Sequence, residues 1–321
     1  MMPIARPLLR SLALVAALAA AGPARAADDA EAAPRWTLGA LVQVDDEDGH
    51  AVAGSVGYAF TRNTRLRLSA DASDASGAGT EYSTKAVGLD LRHAFGAVAL
   101  TVGVHRWEDP DVVAADEFRA ELEFGGESLG VALLGSYRRS DFEPIAANST
   151  IQLRDGRALT VRARADCRLD DVGYGLRLAW SGVAWGAYAS ARGHDYGDVE
   201  CRFDSPGLDA LSRARNAEFR QFAGRATNAL GLGAGTRIGA ENVLLDRSVA
   251  AGAWFQPARF GVAADVARMR DYFSGTESDT LSASLLWSVT PSLDLELTLG
   301  TTDAERFGST GFAGLRLQAR F

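Results

Sequence analysis

The sequence predicts an all-β chain, folded as a single transmembrane antiparallel up-and-down β-barrel of about fourteen strands. Three observations predict it: apolar and polar residues alternate with period two over segments of about ten residues, connections alternate between short and long, and aromatic residues gather at the segment ends. Ten tilted extended residues are what a strand needs to cross a bilayer.

The first segment places Trp36, Leu38, Ala40, Val42 and Val44 on one face and Thr37, Gly39, Leu41 and Gln43 on the other. The next sets Val52, Gly54, Val56, Tyr58 and Phe60 against Ala51, Ala53, Ser55, Gly57 and Ala59. Late in the chain, Leu281, Ala283, Leu285, Trp287 and Val289 alternate mostly with serines, and Leu293, Leu295, Leu297 and Leu299 alternate with Asp294, Glu296, Thr298 and Gly300. Tight turns are expected at Thr61 to Thr64, Gly96, Gly125 to Ser128, Ser181-Gly182, Gln256 to Arg259 and Thr290 to Ser292. Between them the polar stretches Asp45 to His50, Asp71 to Thr80, Glu108 to Ala115, Arg138 to Arg157, Gly193 to Leu244, Ser274 to Asp279 and Thr302 to Thr310 are expected as loops. The rhythm gives fourteen strands. Twelve or sixteen stay open, because Leu230 to Ile238 could form a further hairpin; in the same stretch Ser205-Pro206 has the form of a helix start.

Aromatics mark both ends of the segments. Tyr58, Phe60, Phe95, Phe124, Trp180, Trp185, Phe255, Phe260, Trp287 and Phe321 lie by short turns or the chain end, and Tyr82, Trp107, Tyr137, Tyr196, Tyr272 and Phe273 lie at the opposite end. Two belts are expected where amphipathic rings meet two membrane interfaces.

Residues 1–26 read as an export signal: Arg6 and Arg10, the apolar run from Ser11 to Ala21, and the small-x-small site Ala24-Arg25-Ala26. Residues 27–321 are then one barrel. The chain's formal charge is −8; without the three arginines of the signal, 30 basic residues face 41 acidic ones, a charge of −11. That balance argues against a nucleic-acid partner. No apolar run reaches the roughly 18 residues of a spanning helix, so a membrane crossing has to be made by strands.

A secreted β-sandwich alternates in the same way. It would need blunted edges, and no systematic Pro or Lys marks them; Lys85 is the only lysine. In hydrocarbon each unpaired backbone group costs several kcal/mol. Closure therefore requires Trp36 to Val44 to pair with Gly311 to Phe321.

With Phe118, Ala120, Leu122 and Phe124 facing outward, Glu117, Arg119, Glu121 and Glu123 turn inward. Neighbouring segments add Arg65, Arg67, Asp90, Arg92, Arg177, Asp294, Glu296, Arg316, Gln318 and Arg320. Such a lumen either orders water and selects polar solutes through opposed Arg and acid rows, or pairs its charges and fills itself. Cys167 and Cys201 lie nearly opposite each other across the hairpin turning at Ser181-Gly182, a few residues out of mirror register, which suggests a disulfide with a bulge near Asp170-Asp171; two unpaired thiols are the alternative. Arg162, Arg164, Arg168 and Arg202 cluster beside them, either as a solvated face or as contacts for the phosphates of lipopolysaccharide. The acidic run Asp45 to Asp48 lacks calcium-loop spacing and is expected as a solvated turn. Of the four histidines only His194-Asp195 suggests catalysis, and neighbours on a strand point to opposite faces; His93 falls on the apolar face. The expectation is no enzyme, no metal and no cofactor.

The C-terminus carries a resemblance. Leu315, Leu317, Ala319 and Phe321 alternate with Arg316, Gln318 and Arg320 and stop on Phe, which resembles the last strand of bacterial outer-membrane β-barrel proteins of the porin-like class. The resemblance implies residence in the outer membrane among lipid and lipopolysaccharide, and recognition of Phe321 by the barrel-assembly machinery. The expected function is a passive pore for a small polar solute. The alternative is a non-conducting surface scaffold that works through its long loops.

Overall fold

The computed structural model describes residues 35–77, 80–109, 113–126, 128–152, 158–203, 244–272, 275–305 and 308–321. The first half of the chain forms β1 (Trp36–Asp45), β2 (His50–Ala59), β3 (Thr64–Gly77), β4 (Thr80–Phe95), β5 (Val98–Asp109), β6 (Val113–Gly125), β7 (Leu129–Gln152) and β8 (Ala158–Ser181). The second half forms β9 (Trp185–Tyr196), the short β10 (Glu200–Phe203), β11 (Leu245–Phe255), β12 (Phe260–Asp271), β13 (Glu277–Thr290), β14 (Leu293–Ala304) and β15 (Gly308–Arg320).

Every strand but β10 is a stave of one closed antiparallel ring. β1 pairs with β15 from Thr37↔Arg320 to Asp45↔Phe312, so the first and last strands satisfy each other's backbone groups. β9 pairs directly with β11, from Arg247↔Gly193 to Phe255↔Trp185. The ring therefore closes at fourteen staves, and neither twelve nor sixteen is the count. The possible hairpin at 230–238 and the helix start at 205–206 lie outside the described residues.

Short turns sit where the sequence places them. At one, the Thr61 hydroxyl accepts from the amides of Asn63 and Thr64 at 3.2 and 3.0 Å; at another, Gly96 takes φ +71°, a left-handed conformation that glycine adopts at no steric cost. The acidic run is a tight Asx-type turn: Asp45 Oδ1 accepts from the amides of Glu47 and Gly49 at 3.0 and 2.6 Å.

The opposite end corrects the expected loop lengths. β7 runs on to Gln152 and β8 starts at Ala158, so most of the stretch from Arg138 to Arg157 is paired strand. Likewise β3 extends to Gly77 and β13 begins at Glu277. Backbone pairing continues beyond the apolar zone, where both faces meet water and alternation fades. The expected bulge at Asp170-Asp171 is also displaced. β8 keeps an unbroken register there; the irregularity lies in β7 between Phe142 and Ile145, and a one-residue shift separates Asp171↔Tyr196 from Arg168↔Glu200.

Outward positions carry the exposed apolar side chains, among them Val56, Leu68, Leu89, Val104, Phe118, Leu176, Val262 and Leu285. At the short-turn end Trp36, Phe60, Phe95, Phe124, Trp185, Phe260 and Trp287 are exposed in a belt, and Phe260 stacks on Trp287. His93 belongs to this outer face: its Nδ1 meets the Thr64 hydroxyl at 2.8 Å and its ring packs on Phe95. The second belt is thinner than expected. Tyr137 and Tyr174 point outward, but Trp107, Tyr196 and Tyr272 pack inside with Val113, Phe142, Leu169 and Leu244 in a buried cluster. Their parity explains it, since Trp107 follows inward-facing Gly103 and His105 at steps of two. Phe273, and the side chain of Tyr82, lie outside the described set.

Candidate functional site in the barrel interior

Period-two alternation carries every second residue of each stave into the barrel, and antiparallel register lines these residues into rows around the wall. From the short-turn end upward on β6–β9 the rows are Glu123↔Ala132 and Arg177↔Ser190; Glu121↔Leu134 and Gly175↔Arg192; Arg119↔Ser136 and Gly173↔His194; Glu117↔Arg138 and Asp171↔Tyr196. Small residues occupy the places over which long ones reach. Ala132 sits between Glu123 and Arg177, which meet at 3.0 Å above it. Arg192 lies across Gly175, where a Cβ would approach its Cγ to 2.9 Å.

The result is a set of cross-strand ion pairs. Glu123 also accepts from Arg92 at 2.6 Å, and Arg177 donates to Glu121, so Arg92, Glu123, Arg177 and Glu121 form one chain across five strands. Higher up, Arg119 donates to Glu117 at 2.9 Å. Above them Arg138, buried at 3 % exposure, donates to Asp171 at 2.6 Å and to the Tyr196 hydroxyl at 3.0 Å. Asp171 takes His194 Nδ1 on its other oxygen at 2.9 Å, and Tyr196 donates to the Leu245 carbonyl. His194 thus partners Asp171 of the neighbouring strand β8 and not its chain neighbour Asp195, which alternation turns to the other face. Across β14 and β15, Arg316 meets Glu296 at 3.3 Å and Arg320 meets Asp294 at 2.6 Å.

Among the described residues, three adjoining cavities lie in the interior. One, about 680 Å³, is bordered by Arg65, Arg67, Glu121 and Arg192 on one side and by Ser248, Asp265 and Ser282 on the other. A second, about 600 Å³, reaches β1, β14 and β15, and a third, about 290 Å³, opens beside Arg92, Glu123 and Arg177 at the short-turn end. Arg65, Arg67, Asp90, His105 and Arg119 border both larger cavities; Arg92 and Arg177 border the first and third.

Of the residues singled out in sequence, Arg65, Arg67, Asp90, Arg92, Glu117, Arg119, Glu121, Glu123, Arg177, Glu296 and Arg316 border these cavities; Asp294 and Arg320 pair with each other on the same inward parity. Sequence reading passed over His105, which binds Asp90 at 2.9 Å, and Arg138, Asp171, Arg192 and Asp265, the last held by the Tyr188 hydroxyl at 2.5 Å. Continuing the parity of Ala187, Ala189 and Ala191 through β9 would have placed Arg192 inside. Among the described residues no three His, Cys, Asp or Glu side chains converge as a metal site.

Above the ion pairs, Cys167 and Cys201 form a disulfide across the β8–β10 pair. The hairpin turn lies further along than Ser181-Gly182, with Gly182 N donating to the Trp185 carbonyl at 2.7 Å. With the one-residue shift noted above, this brings the two cysteines opposite each other. Of the neighbouring arginines, Arg168 points outward and pairs with Asp141 at 3.0 Å; the side chains of Arg162, Arg164 and Arg202 lie outside the described set.

The fold is that of outer-membrane β-barrels. A solved monoaromatic hydrocarbon channel, CymD, superposes on 91 % of this chain and 89 % of its own with a TM-score of 0.52 at 10 % identity. The outer membrane protein Omp33 of Acinetobacter baumannii matches over 90 % of this chain and 99 % of its own, with a TM-score of 0.47 and 10 % identity. OmpT of Vibrio cholerae matches over 92 % and 99 %, with a TM-score of 0.46 and 7 % identity. No protein-family model matches the chain, and no curated protein does.

Proposed function

We propose that this chain is a passive pore in a bacterial outer membrane, conducting small polar solutes and ions through a lumen lined by arginines and carboxylates. The observation that carries the reading is the run of adjoining cavities: one between the charged β3–β8 wall and the Ser/Ala-rich β11–β13 wall, one reaching round to β14, β15 and β1, and one at the short-turn end of β4–β8. A fourteen-stave barrel is wide for side chains to fill, and most of the long charged residues of β4–β8 are held along the wall by ion pairs with one another. The apolar outer face and its aromatic belt support a seat in lipid, with lipopolysaccharide at the loop end. Phe321, at the end of the closing strand, is the proposed contact for the assembly machinery.

Planar-bilayer recording tests the pore. Purified, refolded protein is expected to give a steady open current, and neutralising Glu121 and Glu123 is expected to move its ion selectivity. Silence at every voltage would remove the reading in favour of a scaffold, whose working surface would be the hairpin of the 24-residue strands β7 and β8.

A further inference from the structure

Two cations on the charged wall have no hydrogen-bonded or ion-paired partner among the described residues. Arg65 and Arg67 stand two positions apart on the inward face of β3, exposed to the interior, and neither makes a hydrogen bond or an ion pair within 4 Å with a described residue. Their cross-strand neighbours show why. Arg67 is directly opposite Asp90, but Asp90 leans the other way, over Gly103, where a Cβ would come within 2.2 Å of its Oδ1, to meet His105 at 2.9 Å. The His105 ring is itself seated on Gly88, leaving no room there for a side chain. Arg65 is directly opposite Arg92, and Arg92 turns away to Glu123 at 2.6 Å. Like charges directly opposite each other on a sheet are destabilising, and here the acids that could offset them are committed elsewhere.

Both arginines border the two larger cavities, and Arg67 has the small residues Gly57 opposite it on β2 and Ser69 next on its own face of β3. An Arg fork matches the paired oxygens of a carboxylate or phosphate, and charge-assisted bonds of this type are about twice as strong as neutral ones.

We propose that Arg65 and Arg67 form an oxyanion-binding station in the short-turn half of the lumen, taking a small solute through its carboxylate or phosphate group. This deepens the pore reading and rests on it for the solute's passage, but binding at the station can be measured without any current. An acidic chain, at −8 overall, would then hold anions at one point of its path.

The test uses detergent-folded full-length protein and two probes, inorganic phosphate and malonate, each compared with chloride at equal ionic strength. Ligand that binds only the folded state raises the melting temperature. Either probe is expected to raise it in the native protein, and the R65Q/R67Q double variant is expected to need at least about tenfold more of that probe for half the rise, as the loss of charged bidentate bonds implies. R268Q on the outer face serves as the control and should respond like the native protein. In oxyanion-free, low-salt buffer the double variant should melt at or above the native temperature, because it relieves repulsion; a merely structural role for the two arginines would lower it. A native protein that neither probe stabilises beyond chloride, or a double variant that keeps the full response, overturns the station. Current without the thermal response leaves the pore standing and removes this inference; the thermal response without current does the reverse.

Discussion

Strands β5–β8 and strands β11–β13 stand on opposite sides of one cavity, yet they present it with different surfaces. The first wall offers Glu117, Arg119, Glu121, Arg138, Asp171 and Arg177, bound to one another along β6 in the Arg119–Glu117 pair and across strands in the others. The second offers Ser248, Ala250, Ala267, Thr280, Ser282 and Ser284, with Asp265 as its mid-wall charge. The two walls share backbone geometry, inward parity and distance from the membrane ends. They differ in what the alternate residues do: one wall spends its inward positions on a fixed pattern of charge, and the other keeps them short and leaves space. A pore needs both, since a field without room conducts nothing and room without a field selects little.

The comparison can be broken most forcefully at its buried end. Asp171→Ala strands Arg138 in an interior where both partners are at most 3 % exposed, and removing one member of a buried pair costs about 3–5 kcal/mol. The matching change on the other wall, Asp265→Ala, loses a hydrogen bond from Tyr188 to a carboxylate and should cost less, about 1.5–3 kcal/mol. Urea unfolding of the two variants in parallel reads the difference; equal losses would mean that the walls do not differ energetically. Next in size is the disulfide. It closes a separation of 34 residues, so Cys167→Ser with Cys201→Ser should lower stability by about 2–4 kcal/mol while single-channel conductance stays unchanged, because the bond lies above the ion-pair rows.

A smaller pair of effects separates field from room. Glu121→Gln with Glu123→Gln should move the cation-to-anion permeability ratio roughly fivefold toward anions, a combined effect of about 1 kcal/mol, the size of one close-range charge interaction in water. Ser282→Trp on the neutral wall should reduce conductance and leave the reversal potential where it was. If the tryptophan shifts selectivity and the glutamines only change conductance, the division of labour is wrong. Least of all should happen at the outer rim. Arg268 meets Asp279 in an exposed two-pronged pair at 2.6 and 2.7 Å, and Arg268→Gln is expected to cost about 0–1 kcal/mol in the same urea assay.

Much of this is legible in the amino-acid sequence, and the reason is local. Where one face of a strand meets an apolar surrounding and the other meets water, as in β1, β2, β13 and β14, every residue records its side. The expected closure of Trp36 to Val44 on the last strand appears as the Thr37↔Arg320 to Asp45↔Phe312 register. Legibility fails where both faces have the same surroundings. Beyond the apolar zone β7 and β8 continue as paired polar strand, which composition alone cannot tell from a loop. It also fails where an inward position is apolar: Trp107, Tyr196 and Tyr272 look like interface aromatics in a sequence, and only their parity assigns them to the buried cluster. The ion pairs were a harder case. The inward charges were evident one strand at a time, but which acid meets which arginine depends on register between strands far apart in the chain, as with Arg138 and Asp171 or Arg92 and Glu123.

Adjacent residues give the sharpest test of the arrangement as a whole, because a strand turns them to opposite faces. Single cysteines introduced as Glu121→Cys, Leu122→Cys, Arg67→Cys and Leu68→Cys, in protein folded into lipid vesicles, can be exposed to a charged, membrane-impermeant thiol reagent. Positions 121 and 67 should react at rates close to those of a free aqueous thiol, and 122 and 68 should stay protected by acyl chains. Equal reaction within both pairs, or protection at 121 and 67 with labelling at 122 and 68, would contradict a water-filled charged lumen inside a lipid-facing wall.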